Sequence, residues 1–243
     1  MKKASPRHIE TAKLRAKNKK LKYILAGRNR KGAGIAAVIQ GVPAYWEIMP
    51  KLLYQKHGSY RLKTDDGRVI YVDPYAGKGY DLPADVILVT HGHSDHNKIK
   101  KCAQNPGCRI ITNEEALAGG RHNSFDADGI LIQAVEAGNS RHDPDKCVGY
   151  IITFDGVKVY ASGDTSKTKQ METFAALGID YALFPCDGLF NMGLPEAAEC
   201  ARLVGAKHNM IIHPRPGESI RKKAETWDAP NKLILGPGEE IEL

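Results

Sequence analysis

The sequence lacks any apolar run long enough to cross a membrane: its longest apolar stretches are strand-sized, well short of the roughly eighteen uncharged residues a spanning helix needs. Cysteine is scarce as a structural device. Cys102, Cys108, Cys147, Cys186 and Cys200 are an odd set without a Cys-x-x-Cys pair, in a chain too long to need disulfide staples, and read as reduced thiols. No iron–sulfur or flavin pattern is visible, which argues against a redox di-iron protein that would need an electron carrier. There is no internal repeat. A secretory leader is not expected either, because the mildly apolar Gly32–Ile39 is broken by glycines and follows a basic segment too long for such a signal. The expected location is the cytoplasm.

Acidic residues are nearly absent from the first 32 positions, where Glu10 alone stands against eight Lys and four Arg. That segment is +11 in a chain of net +7, leaving −4 on residues 33–243. The basic balance therefore belongs to an N-terminal extension, taken as residues 1–44, and residues 45–243 are taken as one folded domain with an ordinary hydrophobic share. Residues 10–27 have a helix-forming composition, but their apolar positions follow a 3.6-residue period only loosely. Such an arm could meet nucleic acid or an anionic membrane surface. Without aromatic interleaving, a solvated extension is the preferred reading.

What the chain does carry is a dense group of metal-ligand side chains. His91-Gly92-His93-Ser94-Asp95-His96 offers four donors in six positions, directly after the apolar run Asp85–Thr90. In extended backbone, residues two apart face the same side, so His91 and His93 can reach one cation. A turn into a helix at Asp95 would swing Asp95 and His96 toward a second point, and two-metal sites hold their ions about 3.5–4 Å apart. Three or four donors per ion are the working number. Later apolar runs supply candidates: Asp164 follows Val157–Ala161, His213 follows Asn209–Ile212, and His142 precedes Val148–Phe154. In layered α/β folds, functional groups gather at the carboxyl ends of strands.

This ordered set, His91-x-His93-x-Asp95-His96, a loop histidine, Gly163-Asp164-Thr165 and His213, resembles the metallo-β-lactamase-fold superfamily of metal-dependent hydrolases over about residues 52–243. Val69–Tyr75, Gly149–Ile152, Pro185–Gly188 through Met192, and Pro195-Glu196-Ala197 resemble its branch of small hydrolases that includes ascorbate-6-phosphate lactonase. The resemblance implies an α/β, four-layer αββα sandwich of two mixed, largely antiparallel sheets with helices outside. It implies His91, His93 and His142 on one ion, Asp95, His96 and His213 on a second, and Asp164 bridging them. The loop around His142 departs from the pattern, with Gly138 where an aromatic is common. Asp73 resembles the aspartate that braces the metal-binding loop, although Asp-Pro is also a plain turn opener. His57 and His208 read as structural, His122 as surface, and Cys186 as a buried strand-end thiol.

The local signals give strands at 52–54, 60–63 and 69–72 as an antiparallel meander. They also give a short helix over 97–104 ended by Asn105-Pro106-Gly107, a strand at 109–112, a helix over 114–118 and a loop at 125–128. A second meander, broken by the Asp155-Gly156 turn, takes in 130–135, 150–154 and 157–160. Beyond it come a helix near 170–177, a strand at 181–184, a helix from Leu194-Pro195 to Val204, a helix over 219–225 and a closing strand at 232–235.

The expected chemistry is hydrolysis of an ester, lactone or phosphodiester-type small molecule by a metal-activated bridging hydroxide, with Asp95 both ligating and accepting the water's proton. Two divalent cations are implied, zinc first, with manganese and iron also compatible with imidazole and carboxylate donors. Arg141, Arg215, Tyr75 and Asn191 are candidates for the substrate-facing wall, and an arginine there would suit an anionic group. A nuclease of the same fold and a non-catalytic metal-binding protein are the competing readings. The net acidic domain disfavours the first, and seven intact donor candidates the second.

Overall fold

A computed structural model describes residues 49–243, so the basic extension expected at 1–44 lies outside the described residues. The first sheet contains β1 (Lys51–Lys56), β2 (Ser59–Lys63), β3 (Val69–Val72), β4 (Ala84–Leu88), β5 (Gln104–Ile111) and β12 (Glu239–Glu242). The second contains β6 (Ser124–Ala127), β7 (Ile130–Glu136), β8 (Val148–Phe154), β9 (Val157–Ala161), β10 (Tyr181–Pro185) and β11 (His208–Ile212). Their spatial orders are β12-β1-β2-β3-β4-β5 and β11-β10-β9-β8-β7-β6. Both sheets are mixed: β3-β4-β5 and β9-β10-β11 run parallel, and the remaining pairs are antiparallel.

The alternation in β7, where Ile130, Ile132 and Ala134 are buried and Leu131 and Gln133 exposed, turns one face inward. That face meets Leu52, Tyr54, Leu62, Ile70, Val72 and Leu88 of the first sheet in a shared core. α2 (Leu194–Val204) and α3 (Ile220–Thr226) lie against the second sheet. α2 has Pro195 in its first turn and ends at Gly205 in the left-handed region, as its sequence predicts. Among the described residues, the outer layer over the first sheet is thin. Val69, Tyr71, Ile87 and Val89 there are covered by Tyr80, Leu82 and Ile99, from a loop and a single 3-10 turn.

Several local expectations are corrected. The helix expected over 97–104 is only the 3-10 turn Ile99–Lys101, none of whose residues is buried, so no apolar face holds a longer helix in place. Asn105-Pro106-Gly107 lies inside β5, an edge strand where proline sacrifices no ladder bond. The segment read as a loop at 125–128 is mostly β6, joined to β7 through Asp128-Gly129. Both turn residues have positive φ, 54° and 89°, the type I′ geometry also found at Asp155-Gly156. The helix read over 114–118 is the four-residue α1 (Asn113–Ala116), and the one near 170–177 is a 3-10 helix, Lys169–Leu177. The closing strand is β12, not 232–235. Lys232 makes one isolated bridge to Asn209, and the chain then turns through Gly236-Pro237-Gly238 to pair with β1 on the other sheet.

Tyr150 of β8 ties the sheets together, because its hydroxyl donates 2.9 Å to the carbonyl of Val89 at the exit of β4. Replacing Tyr150 by Phe leaves that buried carbonyl without this donor, and we expect a loss of about 1–3 kcal/mol in urea unfolding. An unchanged midpoint would show that the contact contributes nothing.

Candidate metal centre

The parallel strands bring their carboxyl ends to one end of the molecule. Asp73 follows β3, His91–His96 follow β4, Asp164 follows β9, Asp187 follows β10 and His213 follows β11. The β1–β2 turn carries His57 to the same end, and the β7–β8 loop carries His142. The two sheets are joined there: Val148 N donates to Thr90 O, and His91 bridges to Cys147.

All seven residues expected as ligands are brought together. The donor atoms of His91, His93 and His142 lie within 4.8 Å of one another, as do those of Asp95, His96, His213 and His57. Asp164 stands between the two groups. Its Oδ2 is 3.3 Å from His142 Nε2 and 3.3 Å from His213 Nε2, and its Oδ1 is 3.5 Å from His96 Nε2. Donors about 2.0–2.1 Å from a tetrahedral ion are about 3.4 Å apart, so these separations match the edges of coordination shells.

The hydrogen-bond network sets the tautomers. Thr90 Oγ1 donates to Asp73 Oδ2 at 2.7 Å, so it accepts from His91 Nδ1 at 3.0 Å and leaves Nε2 with its lone pair. That Nε2 is buried and has no hydrogen-bond partner. A free imidazole lone pair of this kind is the donor a divalent cation would take. Asp73 Oδ2 also pairs with His96 Nδ1 at 2.9 Å and Oδ1 accepts from Thr90 N at 2.8 Å, so one carboxylate orients two imidazoles and the loop between them. Asp73 is thus the brace, not merely a turn opener. Asn139 Oδ1 does the same for His142, 3.2 Å from its Nδ1. Gly138 makes that loop possible: at φ 128°, a Cβ there would stand 2.8 Å from the His142 carbonyl, which excludes an aromatic.

Burial and crowding decide the charges. Burial, with His96 beside it, pushes His91 down to about 4, so it is neutral at pH 7 and free to donate its lone pair. Burial also pulls His142 and His213 below the ordinary histidine value. Asp164 is raised by burial but lowered further by His96, His213 and His91, to about 2. Burial alone would lower His96, yet Asp164 and then Asp73 outweigh it and hold its proton to about 9. The hydrogen bond with His57 keeps the Asp95 carboxyl well below the usual range.

Two residues at this site were not expected there. His57, read as structural, has Nε2 3.2 Å from Asp95 Oδ2 and its ring 3.6 Å from that of His213. Asp187 accepts from the backbone of Leu189, Phe190 and Asn191, and its Oδ2 lies 3.5 Å from His213 Nδ1. Asn191, expected on the substrate wall, instead donates to Asp164 Oδ2 at 2.9 Å and Asp187 Oδ2 at 2.8 Å. Arg215 fastens the carbonyls of Asp187 and Gly188. Arg141 lies over the Phe190 ring and beside His142 in a groove of about 640 Å³. Tyr75 is partly exposed, edge-on to His57. The spacing of a lone turn histidine carries no ligand signature, and an Asp-Gly after a strand reads as a turn.

Residues 51–213 match the family model of the beta-lactamase superfamily domain. The chain belongs to the beta-lactamase superfamily. A UPF0173 metal-dependent hydrolase of Thermococcus onnurineus is 30% identical over 226 residues, which cover 80% of this chain and 100% of that relative. A Parabacteroides distasonis protein assigned to the metal-dependent hydrolases superposes with a TM-score of 0.65 at 28% identity, over 76% of this chain and 91% of that one. Igni18, a metallo hydrolase from Ignicoccus hospitalis, shares the fold with a TM-score of 0.64 at 20% identity, over 80% and 98% of the two chains. The superfamily resemblance read from the motifs and the paired-sheet architecture both hold.

A divalent cation bound here at pH 7 has to displace the proton that His96 retains to about 9. We therefore expect metal affinity, measured by isothermal titration, to rise with pH from 6 toward about 9 and to flatten above it; a profile flat across that range would contradict this. Asp73→Asn should weaken binding by roughly 10–100-fold, the range for groups that orient metal ligands.

Proposed function

We propose that this protein is a hydrolase with a dinuclear centre, in which His91, His93 and His142 hold one divalent cation, Asp95, His96 and His213 hold the second, and Asp164 spans both. The observation that carries the reading is the position of Asp164 Oδ2, 3.3 Å from a histidine of each group. The orphaned Nε2 of His91 supports it independently. Zinc is the first candidate, and the donor set is also compatible with manganese or iron. The catalytic unit is the folded domain that carries these donors. Five unpaired cysteines suit a reducing, cytoplasmic setting.

When bound, the cations supply polarisation of a carbonyl or phosphoryl oxygen and lower the pKa of water toward about 7. The chain's own groups do the rest. Asp95, kept ionised, has one oxygen on His57 and is a carboxylate available to accept the proton of an attacking water. Asp73, Asn139 and Asn191 hold His96, His142 and Asp164 in place, so no donor has to reorganise during the reaction. The groove beside His91, His93 and His142 has the size of a small-molecule site and carries Arg141 and Lys146, together with acids. The size favours a small ester, lactone or phosphodiester over a nucleic-acid strand.

Elemental analysis of the reconstituted protein should give near two equivalents of divalent metal, and a panel of ester, lactone and phosphodiester substrates should show metal-dependent turnover. His93→Ala, which removes a donor outright, should lower kcat/KM by more than the roughly 10–100-fold of outer-shell changes. Protein that holds no stoichiometric metal after reconstitution would overturn the proposal. Cleavage of RNA or single-stranded DNA that His93→Ala abolishes, without turnover of the small molecules, would replace it by the nuclease reading.

A further inference from the structure

We propose that His57 is an additional protein donor to the second metal position, joining Asp95, His96 and His213. The inference rests on the dinuclear reading above. Its Nε2 shares the space bounded by those three donors, all within 4.8 Å of one another, and lies 3.2 Å from Asp95 Oδ2, the edge length of a shared coordination shell. The ring is tilted over that of His213 with centroids 3.6 Å apart, so both imidazoles approach the position from one side.

The backbone is committed to this placement. His57 sits at φ 57°, in the left-handed region that non-glycine residues seldom adopt. His213, which contacts it, is at φ 53°, and Asp73, which braces His96, is at φ 46°. His213 N donates 2.9 Å to the His57 carbonyl, and the Tyr54 hydroxyl donates 3.1 Å to the same oxygen, which fixes the turn against the end of β11. The next residue must be small: a Cβ on Gly58 would stand 2.8 Å from His96 Cε1, so the turn passes directly against a ligand ring. A left-handed residue is what a hairpin turn asks for, but a histidine serving the turn alone would not need an Nε2 turned toward Asp95.

The second position then has five candidate protein donors once Asp164 is included, against four at the first, so the first keeps more room for substrate. The two positions differ in role as well as in ligand chemistry.

The test uses the full chain and His57→Gly, since glycine adopts φ 57° without strain, with His57→Asn as a second variant that also tolerates the left-handed region. Metal binding is read by isothermal titration with Zn²⁺, and the liganding imidazoles by hyperfine-shifted proton NMR of the Co²⁺-loaded protein. We expect both variants to keep the first equivalent and to bind the second at least tenfold more weakly, to lose the signals of one imidazole, and His57→Gly to regain affinity with free imidazole in the buffer. Wild-type protein that binds two equivalents, with both variants binding them as tightly and with the same imidazole signals, overturns the assignment of His57 alone. Wild-type protein that binds no metal overturns it together with the dinuclear reading.

Discussion

A single buried carboxylate organises this molecule. Asp164 is almost wholly shielded from water, yet it remains ionised because His96, His213 and His91 surround it. A charge held this deep is tolerable only with compensating positive charge and satisfied oxygens, and Asn191 supplies one of the hydrogen bonds. The imidazoles in turn are mostly neutral, with lone pairs converging on the carboxylate. Such a cluster has too little positive charge for its acids unless a proton or a metal ion is shared among them, which is why His96 holds a proton so strongly.

The fold exists in a form that makes this convergence possible. Parallel runs in each sheet send consecutive carboxyl ends to the same edge, and antiparallel strands β2 and β8 begin where their parallel neighbours finish. A shared core between the sheets holds the two halves of the site in fixed relation, so residues as far apart in sequence as His57 and His213 meet. Asp73 works through Thr90 and His96 at once, which couples the exit of β3 to the exit of β4. Most of the donors therefore sit at strand ends, while His142, with Arg141 beside it, sits on the loop 138–146.

Much of the site was legible because metal ligation demands residue types that few other roles demand. Four donors in His91–His96 after an apolar strand, and single donors after later strands, have a chemical reading in any fold. The paired sheets were legible from alternating and fully apolar runs, and the helix from Leu194 to Val204 from its proline and glycine ends. His57 was not legible, since one histidine in a turn carries no spacing and its partners come from distant elements. The helix expected over 97–104 rested on Ile99 and on Lys98, Lys100 and Lys101, good helix formers with too little apolar surface to bury; only one 3-10 turn forms there, and β5 begins at Gln104. β6 was missed although Asp128-Gly129 is a type I′ signal, because only four half-exposed residues precede it. A strand over 232–235 was expected on the local apolarity of Leu233, Ile234 and Leu235, but the Gly236-Pro237-Gly238 turn redirects the chain to the other sheet.

The most direct test of the central claim is anomalous diffraction from crystals of the full chain soaked in Zn²⁺. The account requires two peaks, one on each side of the Asp164 carboxylate and within about 2.0–2.2 Å of its oxygens, the first also beside His91, His93 and His142 and the second beside Asp95, His96 and His213. No peak at Asp164, or a single ion that leaves one of the two histidine groups without a metal, would contradict it.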